Sequence, residues 1–143
     1  MNRQQFIAGD WVRSTSADYQ NRIVQIIEID RNGTIHAQDD GNEVILSQGE
    51  YEPIPMHDAW LSGWDEVRDP QYNSGYHRQF FAPRDSYIKP GDVPFYIANY
   101  TLDHRFYAYT TSDLLLTIRY VHELQHLLYA AESKLEIKKP KKL

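Results

Sequence analysis

The sequence predicts an α+β fold rich in β-structure, and three observations carry that expectation. Short β-branched runs separated by Asn-Gly and Asp-Gly pairs fill the first third of the chain. Aromatic residues then alternate with other types between about 76 and 110. A single stretch, from Tyr120, repeats its apolar residues at intervals of three and four.

Gly9, Asp10, Trp11 and Val12 begin a first strand. Ile23, Val24, Ile26, Ile27 and Ile29 form the next, and Arg31, Asn32 and Gly33 turn the chain into a third strand from Thr34 to Gln38. Asp39, Asp40, Gly41 and Asn42 repeat that turn chemistry before Val44, Ile45 and Leu46. Residues 1–52 therefore read as a β-meander, either an SH3-like barrel or a curled sheet. Pro53 and Pro55 end the pattern, because proline cannot donate to a ladder. A short helix follows over 57–63, built on Asp58, Ala59, Trp60 and Leu61 and stopped by Gly63.

Residues 65–75 read as a polar connector. The aromatic stretch then gives a second antiparallel sheet over 76–118, with strands at about 76–81, 94–100 and 104–110 and with Pro83, Pro90 and Gly91 in the loops. Leu114, Leu115, Leu116, Thr117 and Ile118 either extend it or open a long helix capped by Ser112; the strand is the preferred reading, since Thr117 and Ile118 are β-branched. A C-terminal helix over 119–132 is short enough to need docking on the sheet. The expectation is one α+β domain over 1–133, followed by a basic tail over 134–143.

Composition narrows the function. The 143 residues suit a single core. No apolar run approaches the roughly 18 residues of a membrane span. The opening MNRQQFIAGDWV has no apolar leader segment, so a cytoplasmic setting is expected. Zero cysteines exclude disulfides, thiolate metal sites and a cysteine nucleophile. Net charge is −5, yet residues 134–143 hold five lysines and only Glu136, so the rest of the chain is more acidic still. That field repels phosphate and opposes nucleic-acid binding. The lysine end reads as a solvated, frayed terminus. Asp30, Asn32, Asp39, Asp40, Asn42 and Glu43 crowd the turns, but neither turn keeps the ligand spacing of a calcium loop. GxSxG, GxxxxGK[ST] and GxGxxG are all missing.

Within the helix stand His122, Glu123, Leu124, Gln125 and His126, a literal HExxH. Two imidazoles one turn apart can hold zinc while the glutamate deprotonates a bound water. A helical wheel opposes this. At 100° per residue, Val121, Leu124, Leu128 and Leu127 share one face, and His122 and His126 fall on the other. Both imidazoles are thus expected to point away from the buried face, toward water or a separate covering segment, and the simplest reading is two surface histidines around a buried leucine. A third ligand is also needed. Downstream, Glu132 falls at the same helix end and cannot curl back to the metal, and Glu136 sits in the lysine tail; upstream, His77, His104 and Asp113 are available with no spacing that recommends them. The expected cofactor is none, with zinc as the alternative.

The stretch YVHELQHLLYAA at 120–131 resembles the YVHxLQNLYFAL helix of small uncharacterised proteins encoded on prophages and mobile elements of gut anaerobes. Pro53, Ile54, Pro55, Met56, Trp60 and Leu61 are similar to that family's PIPLxxxWL block, and Gly9 to Val12 to its IGNxV opening. The family brings no established activity. Its motif usually has asparagine where this chain has His126 and often glutamine at Glu123, so the resemblance implies a structural helix. This chain departs from it in lacking the glycine after the helix, with Ser133 nearby instead.

The leading functional reading is a non-catalytic binding or adaptor domain acting through an aromatic surface. Aromatic residues make up 13% of the chain, with eleven tyrosines, more than a core of this size needs. Strand alternation puts Tyr107 and Tyr109 on one face, and likewise Tyr96 and Tyr100, giving a tyrosine platform for protein or carbohydrate. Aromatic pairs also stabilise sheets with no ligand, so the platform requires these tyrosines to stay accessible. The alternatives are a zinc-dependent hydrolase using His122, His126 and Glu123, and a single-stranded nucleic-acid binder that stacks bases on the aromatic strands.

Overall fold

Tight turns set the register of the first sheet. Gly33 takes φ +81°, and Asp40 and Gly41 take +50° and +89°, left-handed values that glycine adopts at little steric cost. In the first turn the Asp30 carboxylate accepts from the N–H groups of Asn32 at 2.8 Å and Thr34 at 3.0 Å. That is the local bonding that makes aspartate a turn residue, and it accounts for an acid that composition alone would offer to calcium.

A computed structural model describes residues 5–68, 77–82, 96–100, 105–109, 114–130 and 135–141. The chain forms two compact units, one comprising residues up to Pro55 together with Tyr120–His122, the other Met56–Arg119 together with residues from Glu123 onward. Each holds one antiparallel five-stranded sheet. With one C-terminal helix, the class is α+β and β-rich, as the sequence predicts. Among the described residues no helix is long and apolar enough to cross a membrane.

In the first unit β1 (Trp11–Ser14), β2 (Ile23–Ile29), β3 (Ile35–Asp39), β4 (Asn42–Leu46) and β5 (Tyr51–Pro53) lie in the order β4-β3-β2-β1-β5. Val12, Val24, Ile26, Ile35, Ala37, Val44 and Leu46 form its core, with Phe6, Tyr19, Ile29 and Tyr51 packed against them. Alternation with the buried Val24 and Ile26 points Ile27 outward, where it is 53% exposed. The β2–β3 register then shifts between Ile26 and Glu28, and past this β-bulge Ile29, not Glu28, packs against the core. The sheet does not close into a barrel. β5 has three residues and ends in Pro53, which lacks the N–H that a further ladder would use. Its pairing with β1, unforeseen in sequence, is fixed by Arg13, whose Nε donates to Glu52 at 2.7 Å.

In the second unit β6 (Asp65–Arg68), β7 (His77–Phe81), β8 (Tyr96–Tyr100), β9 (Arg105–Tyr109) and β10 (Leu114–Ile118) follow one another in space as in sequence. A 3-10 helix at Asp58–Leu61 precedes them, started by His57, whose Nδ1 accepts from the Ala59 N–H at 3.0 Å. β6 corrects the expected polar connector. With Val67 as its only apolar residue it shows no hydrophobic alternation, yet it pairs along β7 because an edge strand can be held by charge. Arg78 on β7 supplies that charge, with Nε donating to Glu66 at 2.6 Å and Nη1 to Asp58 at 2.8 Å. Its guanidinium also lies 4.9 Å from the centre of the Phe80 ring.

The lysine-rich end is also corrected, since residues 135–140 do not fray into solvent. Ile137 is buried at 6%, and it lines a hollow with Trp60, Trp64 and Leu135 of the same unit. One isoleucine among lysines gives no periodic signal, which is why composition read the stretch as solvated.

Candidate functional site

Two sites come from the sequence, the HExxH helix and the tyrosine face. The helix α1 (Val121–Ala130) starts two residues later than expected, and positions 131–134 lie outside the described residues. Val121, Leu124 and Leu128 are buried, as the wheel predicts.

His122 meets a covering segment and not water, which corrects the expectation of a surface histidine. It is 2% exposed, with its ring 4.7 Å from Phe6 and stacked at 5.9 Å on Tyr120. Val121 and His122 belong to the first unit, where the Val121 N–H donates to the Ile54 carbonyl at 2.9 Å. His126, one turn on, is half-buried. The Glu123 carboxylate turns back along the helix, accepting from the Arg119 N–H at 2.9 Å with the Arg119 guanidinium at 3.4 Å. This resembles a capping box, in which a glutamate near the helix start satisfies a backbone donor. One imidazole thus sits between aromatic rings, and the candidate base is engaged in starting the helix. Among the described residues no three His, Asp or Glu side chains gather where they could hold a metal ion. His104, Asp113 and Glu132 lie outside the described residues, as does the His77 side chain, and Glu136 is exposed.

The tyrosine face is assembled by strand register. Across β7, β8 and β9, Phe80, Ile97 and Ala108 stand opposite one another, and so do Arg78, Asn99 and Phe106. Of these Phe80, Ile97, Ala108, Phe106 and Asn99 are buried, as is Ile118 on β10, so this face is the covered one. The pleat sends the intervening residues to the other side. There Phe81 stands opposite Tyr96 and Tyr96 opposite Tyr109, with Gln79, Ala98, Tyr107 and Thr117 in the neighbouring row.

The rings follow the register. Phe81 and Tyr96 have centroids 5.0 Å apart, and Tyr96 and Tyr109 stack at 5.4 Å with planes 16° apart. Phe81, Tyr96, Tyr107 and Tyr109 are all half-buried, whereas Ala98 among them is fully buried. A small residue there lets the larger rings close over the backbone. Three of the four tyrosines singled out in sequence are therefore brought to one face, and the side chain of Tyr100 lies outside the described residues. Sequence reasoning missed Phe81, whose place depends on register with Tyr96. The signal was the Phe80-Phe81 pair, in which one ring must face each side of a strand.

Comparison with known proteins adds no family to this geometry: no family model, no curated protein and no solved structure matches the chain.

Proposed function

We propose that this protein is a binding or adaptor module without catalysis of its own, whose contact surface is the aromatic face of β7, β8 and β9. The observation that carries the reading is the row Phe81, Tyr96 and Tyr109, continuous across three strands and partly accessible to solvent. The opposite side supplies Phe80, Ile97, Phe106 and Ala108 to the core, and the rings on this side pack on one another while keeping part of their surface accessible. Tyrosine offers large contact area at small entropic cost and keeps a polar tip, which suits recognition.

The stacking favours protein over carbohydrate. Tyr96 and Tyr109 direct ring faces toward each other, so an incoming molecule meets edges and hydroxyl groups more than the broad ring face a sugar stacks upon. A protein surface with backbone carbonyls and aliphatic side chains matches such edges. Within this reading the first unit is the SH3-like element, supported by β5 returning to pair with β1. The prophage and mobile-element resemblance supplies the biological setting, and the cysteine-free composition suits the cytoplasm.

The test is an array of immobilised peptides and glycans probed with the wild-type protein and with the double variant Tyr96→Ala, Tyr109→Ala. The wild type should retain a defined set of peptides that the variant loses, while circular dichroism shows both folded. Retention of glycans alone would reassign the partner class. Equal retention by both proteins, or none by the wild type, would remove the aromatic face from function.

A further inference from the structure

The second unit carries another surface, independent of the aromatic face. The segment from Leu135 to Lys141 runs back beside the 3-10 helix at Asp58–Leu61, and Lys138, Lys139, Pro140 and Lys141 form one wall of a groove of about 640 Å³ whose other wall is Ala59 and Ser62. That volume lies in the range that holds a small ligand or a few residues of peptide. Beside it is a smaller hollow of about 190 Å³ whose walls include Trp60, Trp64, Leu135 and Ile137 together with Glu136. The two share Ser62 and Lys138.

Three features make this more than a charged end. Ile137 is buried at 6% among residues of its own unit, so the lysines that follow are held in place. Pro140 removes backbone freedom between Lys139 and Lys141. Lys138 and Lys141 are exposed along the groove, and lysine combines a long apolar stem with a charged end. The result is a positive island on a chain of net charge −5.

We propose that this groove docks a short acidic peptide segment of a partner protein, its carboxylates on the exposed Lys138 and Lys141 and one apolar side chain in the hollow beside Trp60 and Trp64. Charge complementarity selects the anion, and the adjoining hollow, where Trp60, Trp64, Leu135 and Ile137 stand with Glu136, favours an apolar side chain over the phosphates of a polyphosphate. A nucleic-acid strand longer than the groove would also run onto the acidic remainder of the chain.

The experiment is fluorescence anisotropy of the full chain with a fluorescein-labelled octapeptide carrying three consecutive glutamates beside a leucine. Binding should saturate and weaken at least about tenfold when salt rises from about 50 to about 300 mM. It should weaken by a similar factor in the triple variant Lys138→Gln, Lys139→Gln, Lys141→Gln, and again when the peptide's glutamates become glutamines. The Tyr96→Ala, Tyr109→Ala variant should bind as the wild type does, which separates this site from the aromatic face. An unaffected triple variant, absence of saturable binding, loss of binding in the tyrosine variant, or tighter lysine-dependent binding of a single-stranded oligonucleotide would each overturn the proposal.

Discussion

Arg78 ties three parts of the second unit together, reaching Asp58 before the sheet, Glu66 on β6 and the Phe80 ring on its own strand. The hydrogen bond from Arg78 holds the Asp58 carboxyl below its ordinary value of 3.8, against a smaller opposing effect of burial. Burial works against the Arg78 charge, and the two carboxylates outweigh it, so the guanidinium is held more firmly protonated than usual. Because the folded-state value of Asp58 is depressed, its contribution is present above 3.8 and lost as pH falls below that value. Asp58→Asn should therefore cost about 1 kcal/mol or less at pH 7, given its partial exposure, and nothing once the carboxylate is protonated in both states. Urea denaturation of both proteins at pH 7 and at pH values stepped downward from 3.8 checks this, and the difference between them should shrink as the pH falls. Tyr51 makes a second local prediction, since its hydroxyl donates to the Gly33 carbonyl at 2.6 Å and its pKa is raised, first by burial and then by Asp30. Tyr51→Phe should cost about 1 kcal/mol at neutral pH, measured by the same denaturation. Neither contact was legible in sequence, because each joins residues whose proximity depends on strand register. The surroundings of His122 stayed open for a related reason: a helical wheel gives a direction from the helix axis but not whether water or another segment lies there.

At the scale of elements, the strands that sequence identified are those with β-branched or aromatic alternation, and the two it missed lack that signal. β5 is three residues ending in proline, and β6 has Val67 alone; both are edge strands whose partners carry the charges that fix them. Turn chemistry was legible because Asp30 and Gly33 act within a few residues of themselves. The helix was legible through Val121, Leu124 and Leu128, but its start was not, since it depends on Glu123 meeting the Arg119 N–H. Glu123→Ala should destabilise the protein by about 0.5–2 kcal/mol, the size of a lost helix cap. Glu123→Gln should recover most of that loss, because an amide oxygen accepts the same hydrogen bond. Thermal melts of the two variants distinguish this structural role from one that requires a carboxylate. Leu124→Ala, at a position with no exposure, should cost about 2–5 kcal/mol by the same measurement.

For the whole molecule, each unit builds a sheet with one covered face and leaves the second face for other uses. In the first unit that second face is mixed, with Arg13, Gln25, Gln38 and Glu43 beside Trp11, Ile23 and the exposed Ile45. In the second it is aromatic, and the difference is already present in the composition of the two halves of the chain. What sequence could not supply was the alignment that places Phe81, Tyr96 and Tyr109 in one row. The central claim is that this row is the surface through which the protein acts. Fluorine NMR of 3-fluorotyrosine-labelled protein, titrated with the tightest peptide from the array, tests it most directly. The resonances of Tyr96 and Tyr109 should shift while those of Tyr19 and Tyr51 stay in place; shifts confined to Tyr19 and Tyr51, or no shift at all at saturation, would contradict the account.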